Sequence, residues 1–237
     1  MKKYINYLSA LATGCILLGA VASCKDLTET NINPNGVESS SVHPNLILTT
    51  VLSNTATMDV SLGFGDMAGV MQHTQLDAWF SGHNNYDWSN QSWTGNYSVL
   101  EDIKLMEQRA EALELPFYLG LAKVMNAYHF ARIADLWGDA PYLDAVSGDK
   151  GGEQYLLPAF DSQQVIYEGA INDLKEANDI LAAVGTYETT PQDILFEGNV
   201  MKWRKFANSL QLRIYLRVSE KMPEFASSGI QQILSDP

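Results

Sequence analysis

An all-α fold of helical hairpins joined by long loops is what this sequence predicts, on three observations. Apolar residues recur every three or four positions in one segment after another, the spacing that lines one face of a helix. No segment shows the strict apolar and polar alternation of a half-buried strand. The stretch from Leu115 to Tyr142 holds one long helix with its own punctuation: Pro116 opens it, where a missing N–H costs nothing, and Trp137-Gly138 followed by Pro141 ends it. Along that helix Lys123, Asn126, His129, Arg132 and Asp135 fall at every third position. They therefore drift around the helix and leave most of its circumference apolar. Gly120, Ala127, Ala131 and Ala134 make a narrow stripe of small residues against which another helix backbone can lie. This is a central helix, packed on at least two sides.

The chain begins with a basic pair, Lys2 and Lys3, and an apolar run from Leu8 to Ala22 that fits an export signal over residues 1–23. The run ends in Val21-Ala-Ser-Cys24, which resembles the lipobox of bacterial lipoproteins, where cleavage precedes a cysteine that takes the lipid. A retained membrane anchor is the alternative, but Ser9, Thr13 and Gly14 interrupt the run and it is short for a span. Lys25-Asp26 resembles the short charged signal that sends lipoproteins of Bacteroidetes-type bacteria to the outer face of the outer membrane. Residues 24–44 then read as the lipidated Cys24 and a tether rich in Asn, Ser, Thr and Pro.

The helical body is expected over residues 45–237. A first helix is predicted from Asn45 to Met58 and a second, short one from Gly65 to Leu76. A third follows from Trp93 to Leu115, and then the central helix. Asp161, with Gln164 three residues on, reads as a capping box for the next helix, whose buried stripe is Ile166, Ala170, Leu174, Ala177 and Leu181. Asn199 caps another, with Trp203, Phe206, Ala207, Leu210 and Ile214 inward, and a last helix spans about Glu224 to Leu234. Hairpins of this size resemble tetratricopeptide-type pairs. Ser235-Asp236-Pro237 reads as a turn leading onward, so this chain is expected to be the N-terminal portion of a longer protein.

Composition narrows the function. The formal net charge of −13 argues against nucleic acid or a bare anionic bilayer as partner. The only cysteines are Cys15 and Cys24, so the body has neither a disulfide nor a thiolate metal site. His43, His73, His83 and His129 share no ligand spacing, and no HExxH, GxSxG, phosphate loop or dinucleotide fingerprint occurs; no cofactor is expected. Asp135, Asp139, Asp144 and Asp149 lack the tight spacing of a calcium loop and read as solvated acids.

Several segments in order resemble the SusD/RagB family of nutrient-binding outer-membrane lipoproteins: NINPNG from Asn31, ADLWGDAPY from Ala134, YEGAINDLKEA from Tyr167 and GNVMKWRKFANSLQLRIYLRVS from Gly198. The resemblance implies a SusD-like, tetratricopeptide-like helical scaffold without catalytic residues. It implies a lipid-anchored protein on the outer membrane, facing the exterior, that captures a nutrient oligomer and delivers it to a SusC-type TonB-dependent transporter. Members are commonly about twice this long, and the further half contributes much of their ligand pocket.

The best candidate site is the loop from Asp77 to Trp93, which sets Trp79, Phe80, Tyr86, Trp88 and Trp93 among Gly, Ser and Asn. Flat rings on a loop stack on the apolar faces of sugars, while Asn84 and Asp87 offer partners to hydroxyls. In the family the corresponding region lies near the ligand. For Trp79, Tyr86 and Trp88 the alternative is that the rings pin the loop to the helices; for Trp93, at a helix start, pinning is the expected role. A glycan is favoured over a peptide because the loop is aromatic and amide-rich with little positive charge. A glycoside hydrolase, or a helical adaptor for another protein, are the rivals from other classes. Lys202, Arg204, Lys205, Arg213, Arg217 and Lys221 make one helix basic, and acidic neighbouring helices are expected to pair with them.

Overall fold

The computed structural model describes residues 40–75, 86 and 90–235. The chain divides between Ser41 and Val42, and the helices belong to the second unit, Val42–Pro237. Its main helices are α1 (Pro44–Val60), α2 (Thr94–Ala112), α3 (Pro116–Trp137), α4 (Gln163–Val184), α5 (Val200–Val218) and α6 (Pro223–Ser235). Among the described residues there is no strand, only an isolated antiparallel bridge between Ala140 and Asp161. No described helix is long and apolar enough to cross a membrane.

The helices pack mostly with their sequence neighbours, and α3 is the hub, touching α1, α2, α4 and α5. Pro116 occupies its first turn, and Gly138 ends it at φ +78°, a left-handed conformation that glycine adopts without strain. Apolar residues of all six main helices enter one core, in which Leu121, Val124, Ile133, Leu174, Leu181 and Trp203 are fully buried. Part of the small-residue stripe works as predicted. A methyl on Gly120 would sit 2.7 Å from Leu181 Cγ and 3.5 Å from the Ala177 carbonyl, so α3 and α4 meet closely there. A second close approach lies on α4, where the Tyr142 ring rests on Gly169, and a Cβ at Gly169 would overlap its hydroxyl and stand 2.6 Å from Cζ. Tyr142 is held from behind by Phe130, edge-on at 4.7 Å. Gly169→Ala is therefore expected to cost about 1–3 kcal/mol in urea unfolding, as overpacking does; an unchanged midpoint would show that the ring swings away freely.

Two local expectations are corrected. The helix predicted from Gly65 is not separate: α1 runs without a break into a π-helical stretch, Ser61–Met67, and a last turn, Ala68–Val70, before the chain leaves at Gln72 with φ +56°. Nothing between Val60 and Ser61 breaks a helix, whereas Gly63 and Gly65 tolerate the wider winding. The cap of α4 is Ser162, whose Oγ accepts from Val165 N, not Asp161. Asp161 has its backbone in the bridge to Ala140, and its carboxylate accepts from the N–H groups of Tyr142 and Leu143 at 3.0 and 2.8 Å. Asn199 caps α5 as expected, accepting from Lys202 N at 3.0 Å.

Between α4 and α5 the chain turns around Asp193, which is fully buried. Its carboxylate accepts four N–H groups, from Leu195, Phe196, Gly198 and the Trp203 indole, at 2.7–3.2 Å. Gly198, at φ +84°, brings the chain so close that a Cβ would lie 2.5 Å from the Glu188 carbonyl oxygen. This loop fixes where α5 starts, and hence where its basic residues stand.

Candidate functional site

Of the residues singled out on the aromatic loop, Trp79, Asn84, Asp87 and Trp88 lie outside the described residues, as does Cys24. Tyr86 is described: it holds φ +59° and exposes 68% of its surface. At the loop's end Trp93 packs among Tyr97, Trp137 and Phe160, with ring centroids 5.9, 6.3 and 5.6 Å away. Trp137 Nε1 donates to the Gln91 carbonyl at 3.3 Å, and Gln91 Nε2 donates to Asp66 on the π-helical stretch at 3.0 Å. Trp93 and Trp137 thus join the described end of the loop to α3, the role expected of Trp93.

Beside this anchor the structure opens a groove that sequence reasoning missed. Its floor is the face of α3 carrying Tyr128, Ala131, Arg132, Asp135 and Leu136; one wall is Asp59 with Leu62, Gly63 and Met67, the other is α5 through Leu210, Arg213, Ile214 and Arg217. The cavity is about 520 Å³, within the range of small-molecule sites. A smaller hollow of about 230 Å³ shares Leu62, Arg132 and Leu136 with it and reaches Gln91, Ser92 and Trp137, at the described end of the aromatic loop. Asn96, almost wholly buried, lines this hollow, and its Oδ1 has no partner among the described residues.

Two carboxylates organise the groove, each held between a phenol and a guanidinium. Asp59 accepts from Tyr128 Oη and pairs with Arg132, which also donates to the Met58 carbonyl at 3.2 Å. Asp135 accepts from Tyr167 Oη at 2.6 Å, while Arg217 places Nε and an Nη each 3.3 Å from its two oxygens. Burial and the neighbouring Asp59 push the Tyr128 phenol up to about 12, and burial and Asp135 raise that of Tyr167 as well. Both phenols therefore stay protonated and donate at neutral pH. The signal for this site was present in the sequence as Tyr128, Arg132 and Asp135 at i, i+4 and i+7 on one helix face. Grouping all five polar residues of α3 obscured it. Lys123 and Asn126 face elsewhere, toward Glu176 at 2.8 Å and Asp173 at 2.8 Å, and His129 is in the core.

The loop acids are also accounted for, in part. Asp139 accepts from Gln163 N at 2.8 Å at the start of α4, and Asp149 pairs with Lys104 at 3.0 Å. Among the described residues no group of three His, Cys, Asp or Glu side chains could hold a metal.

A family model described as starch-binding, associating with the outer membrane, and named SusD-like, matches residues 34–237. A SusD homologue of Bacteroides fragilis is 28% identical and superposes with a TM-score of 0.63, over 76% of this chain and 36% of its own. An outer membrane protein of Bacteroides vulgatus, linked to nutrient binding, is 29% identical with a TM-score of 0.62, over 76% and 37%. A second B. fragilis SusD homologue reaches a TM-score of 0.71 at 21% identity, over 82% and 41%, a likeness of fold. The chain thus spans well under half the length of each of these relatives. None of the curated proteins matches it.

Proposed function

Because this chain belongs to the SusD/RagB family, whose matching model describes starch-binding proteins associated with the outer membrane, we propose that it is the N-terminal part of a non-catalytic surface lipoprotein that captures a glycan and delivers it to a SusC-type TonB-dependent transporter. The single observation that carries this reading is the unbroken family match over residues 34–237. On this reading Cys24 takes the lipid, residues 25–44 tether the body to the exterior of the outer membrane, and the helical scaffold presents the aromatic loop. Trp79, Tyr86 and Trp88 stack on sugar rings while Asn84 and Asp87 hydrogen-bond to hydroxyls. The exposure of Tyr86 and the packing of Trp93 against Trp137 at the loop's end support this reading.

In the full-length protein, Trp79→Ala combined with Trp88→Ala is expected to weaken oligosaccharide binding by about tenfold or more, equivalent to about 1.4 kcal/mol or more, with an unchanged melting temperature. Isothermal titration calorimetry against a panel of starch-type and other neutral oligosaccharides makes the comparison. Equal affinity of the double variant and wild type would remove the loop from the site, and release of reducing sugar by the wild type would point to an enzyme.

A further inference from the structure

The expectation that acidic helices neutralise α5 holds for one residue. Of the basic residues of α5, only Arg217 meets a carboxylate among the described residues, that of Asp135, and Arg204 Nε donates to the Asn178 side-chain oxygen at 2.7 Å instead. Arg213, exposed and one turn before Arg217, makes no hydrogen bond or ion pair with any described residue, yet it lines the groove. Three guanidinium groups, Arg132, Arg213 and Arg217, share this groove with two carboxylates, each already held by an arginine and a tyrosine. The excess positive charge is that of Arg213. It stands at i−4 to Arg217, and of the two only Arg217 has a carboxylate partner among the described residues. The groove also offers Leu62, Leu136, Leu210 and Ile214, an apolar surface beside the cation.

We propose that the groove between α1, α3 and α5 is a subsite for an acidic oligosaccharide, in which Arg213 receives the carboxylate of a uronic acid. This rests on the reading of the protein as a glycan binder and names the class of glycan. The planar fork of arginine matches a carboxylate with two parallel hydrogen bonds, and in a cleft with apolar walls such a pair is stronger than on an open surface. The apolar face of the sugar ring lies against the leucines, and the protonated phenols keep Asp59 and Asp135 engaged so that they do not compete for Arg213. A neutral sugar offers Arg213 hydroxyl acceptors but neither the charge nor the paired oxygens of a carboxylate. The acidity of the whole chain opposes an anionic ligand at long range, but at physiological salt that repulsion is screened within about 8 Å, so the local cation decides.

The test uses tetrasaccharides of galacturonate, glucuronate and mannuronate, each beside its carboxyl-reduced neutral counterpart, titrated calorimetrically into wild type, Arg213→Gln and Lys202→Gln. Lys202 carries the same charge on the same helix but lies outside the groove. At least one acidic probe is expected to bind about tenfold more tightly than its neutral counterpart. Arg213→Gln should erase that preference, leaving the neutral probes within about twofold and the melting curve in place, and Lys202→Gln should leave the preference intact. Neutral probes binding as well as acidic ones would overturn the subsite and leave the glycan reading standing. So would equal losses in both variants, which would mark a diffuse charge effect. Binding of no tetrasaccharide of either kind would sink both.

Discussion

Asp193→Ala is expected to destabilise the protein by about 3–5 kcal/mol, a larger effect than closing any of the glycine contacts. Among the described residues the carboxylate is the sole hydrogen-bond acceptor for two buried donors, Gly198 N and Trp203 Nε1, and it also serves Leu195 N and Phe196 N. Removing it leaves those donors without water or protein to receive them, at about 1–3 kcal/mol for each buried group. Asn is no remedy. Oδ2 takes both buried donors, so an amide either points its NH₂ at two N–H groups or flips and abandons the two backbone groups on Oδ1. Urea unfolding of Asp193→Ala and Asp193→Asn measures the loss. A full recovery in the asparagine variant would show that the loop rearranges around an amide and that its geometry is not fixed by the carboxylate. Because Trp203 and the start of α5 hang on this carboxylate, the groove should be lost along with the stability.

Acid should remove stability through His129. Thr55 Oγ1 donates its one proton to the Val51 carbonyl at 2.7 Å, so in its 2.8 Å contact with His129 the Nε2–H must be the donor. Nδ1 is then a bare lone pair, buried and without a partner among the described residues. Charging the ring would put a proton there with nothing to accept it. Burial, and then the nearby Arg132, lower the pKa of His129 from 6.5 to about 3. Between those values the unfolded chain binds a proton that the native state does not, so stability rises with pH across this window and is complete above it. The loss on going from pH 6.5 to 3 is about 4 kcal/mol from this group alone, at about 1.36 kcal/mol per pH unit between the half-titrated ends of the window. Asp173 and Glu107, whose carboxyls burial raises, contribute with the opposite sign in the carboxylate range. Unfolding free energies of wild type and His129→Gln, measured from pH 7 to 4, isolate the contribution of the ring. The glutamine amide can still donate to Thr55 but cannot titrate, so equal slopes in the two proteins would refute the assignment.

Much of the helical scaffold was legible because its signals are local. Pro116 and Gly138 bound α3, Asn199 caps α5, and the apolar spacing from Ile166 to Leu181 marks α4, all through interactions that span about four residues. Where tertiary pairing intervenes, the local signal misleads. Asp161 has the spacing of a cap to Gln164, but its pairing with Ala140 draws it away and Ser162 caps α4 instead. Likewise the apolar spacing reads as two helices, one to Met58 and one from Gly65, where the helix only widens.

The sequence by itself determined the all-α class, the order and most bounds of the long helices, and, through four separated segments, the family. The tertiary structure alone decided the groove, because its parts are chosen by which helices pack together. Asp59 reaches Tyr128 and Arg132 across 69 and 73 residues, and Asp135 meets Arg217 across 82. Helix propensity and capping act over a single turn and carry no information about such partners. A carboxylate that will be held by a phenol and a guanidinium, and an arginine left without a partner, look alike in the sequence: each is a polar residue on a helix, and only the packing of α3 against α1 and α5 makes them different.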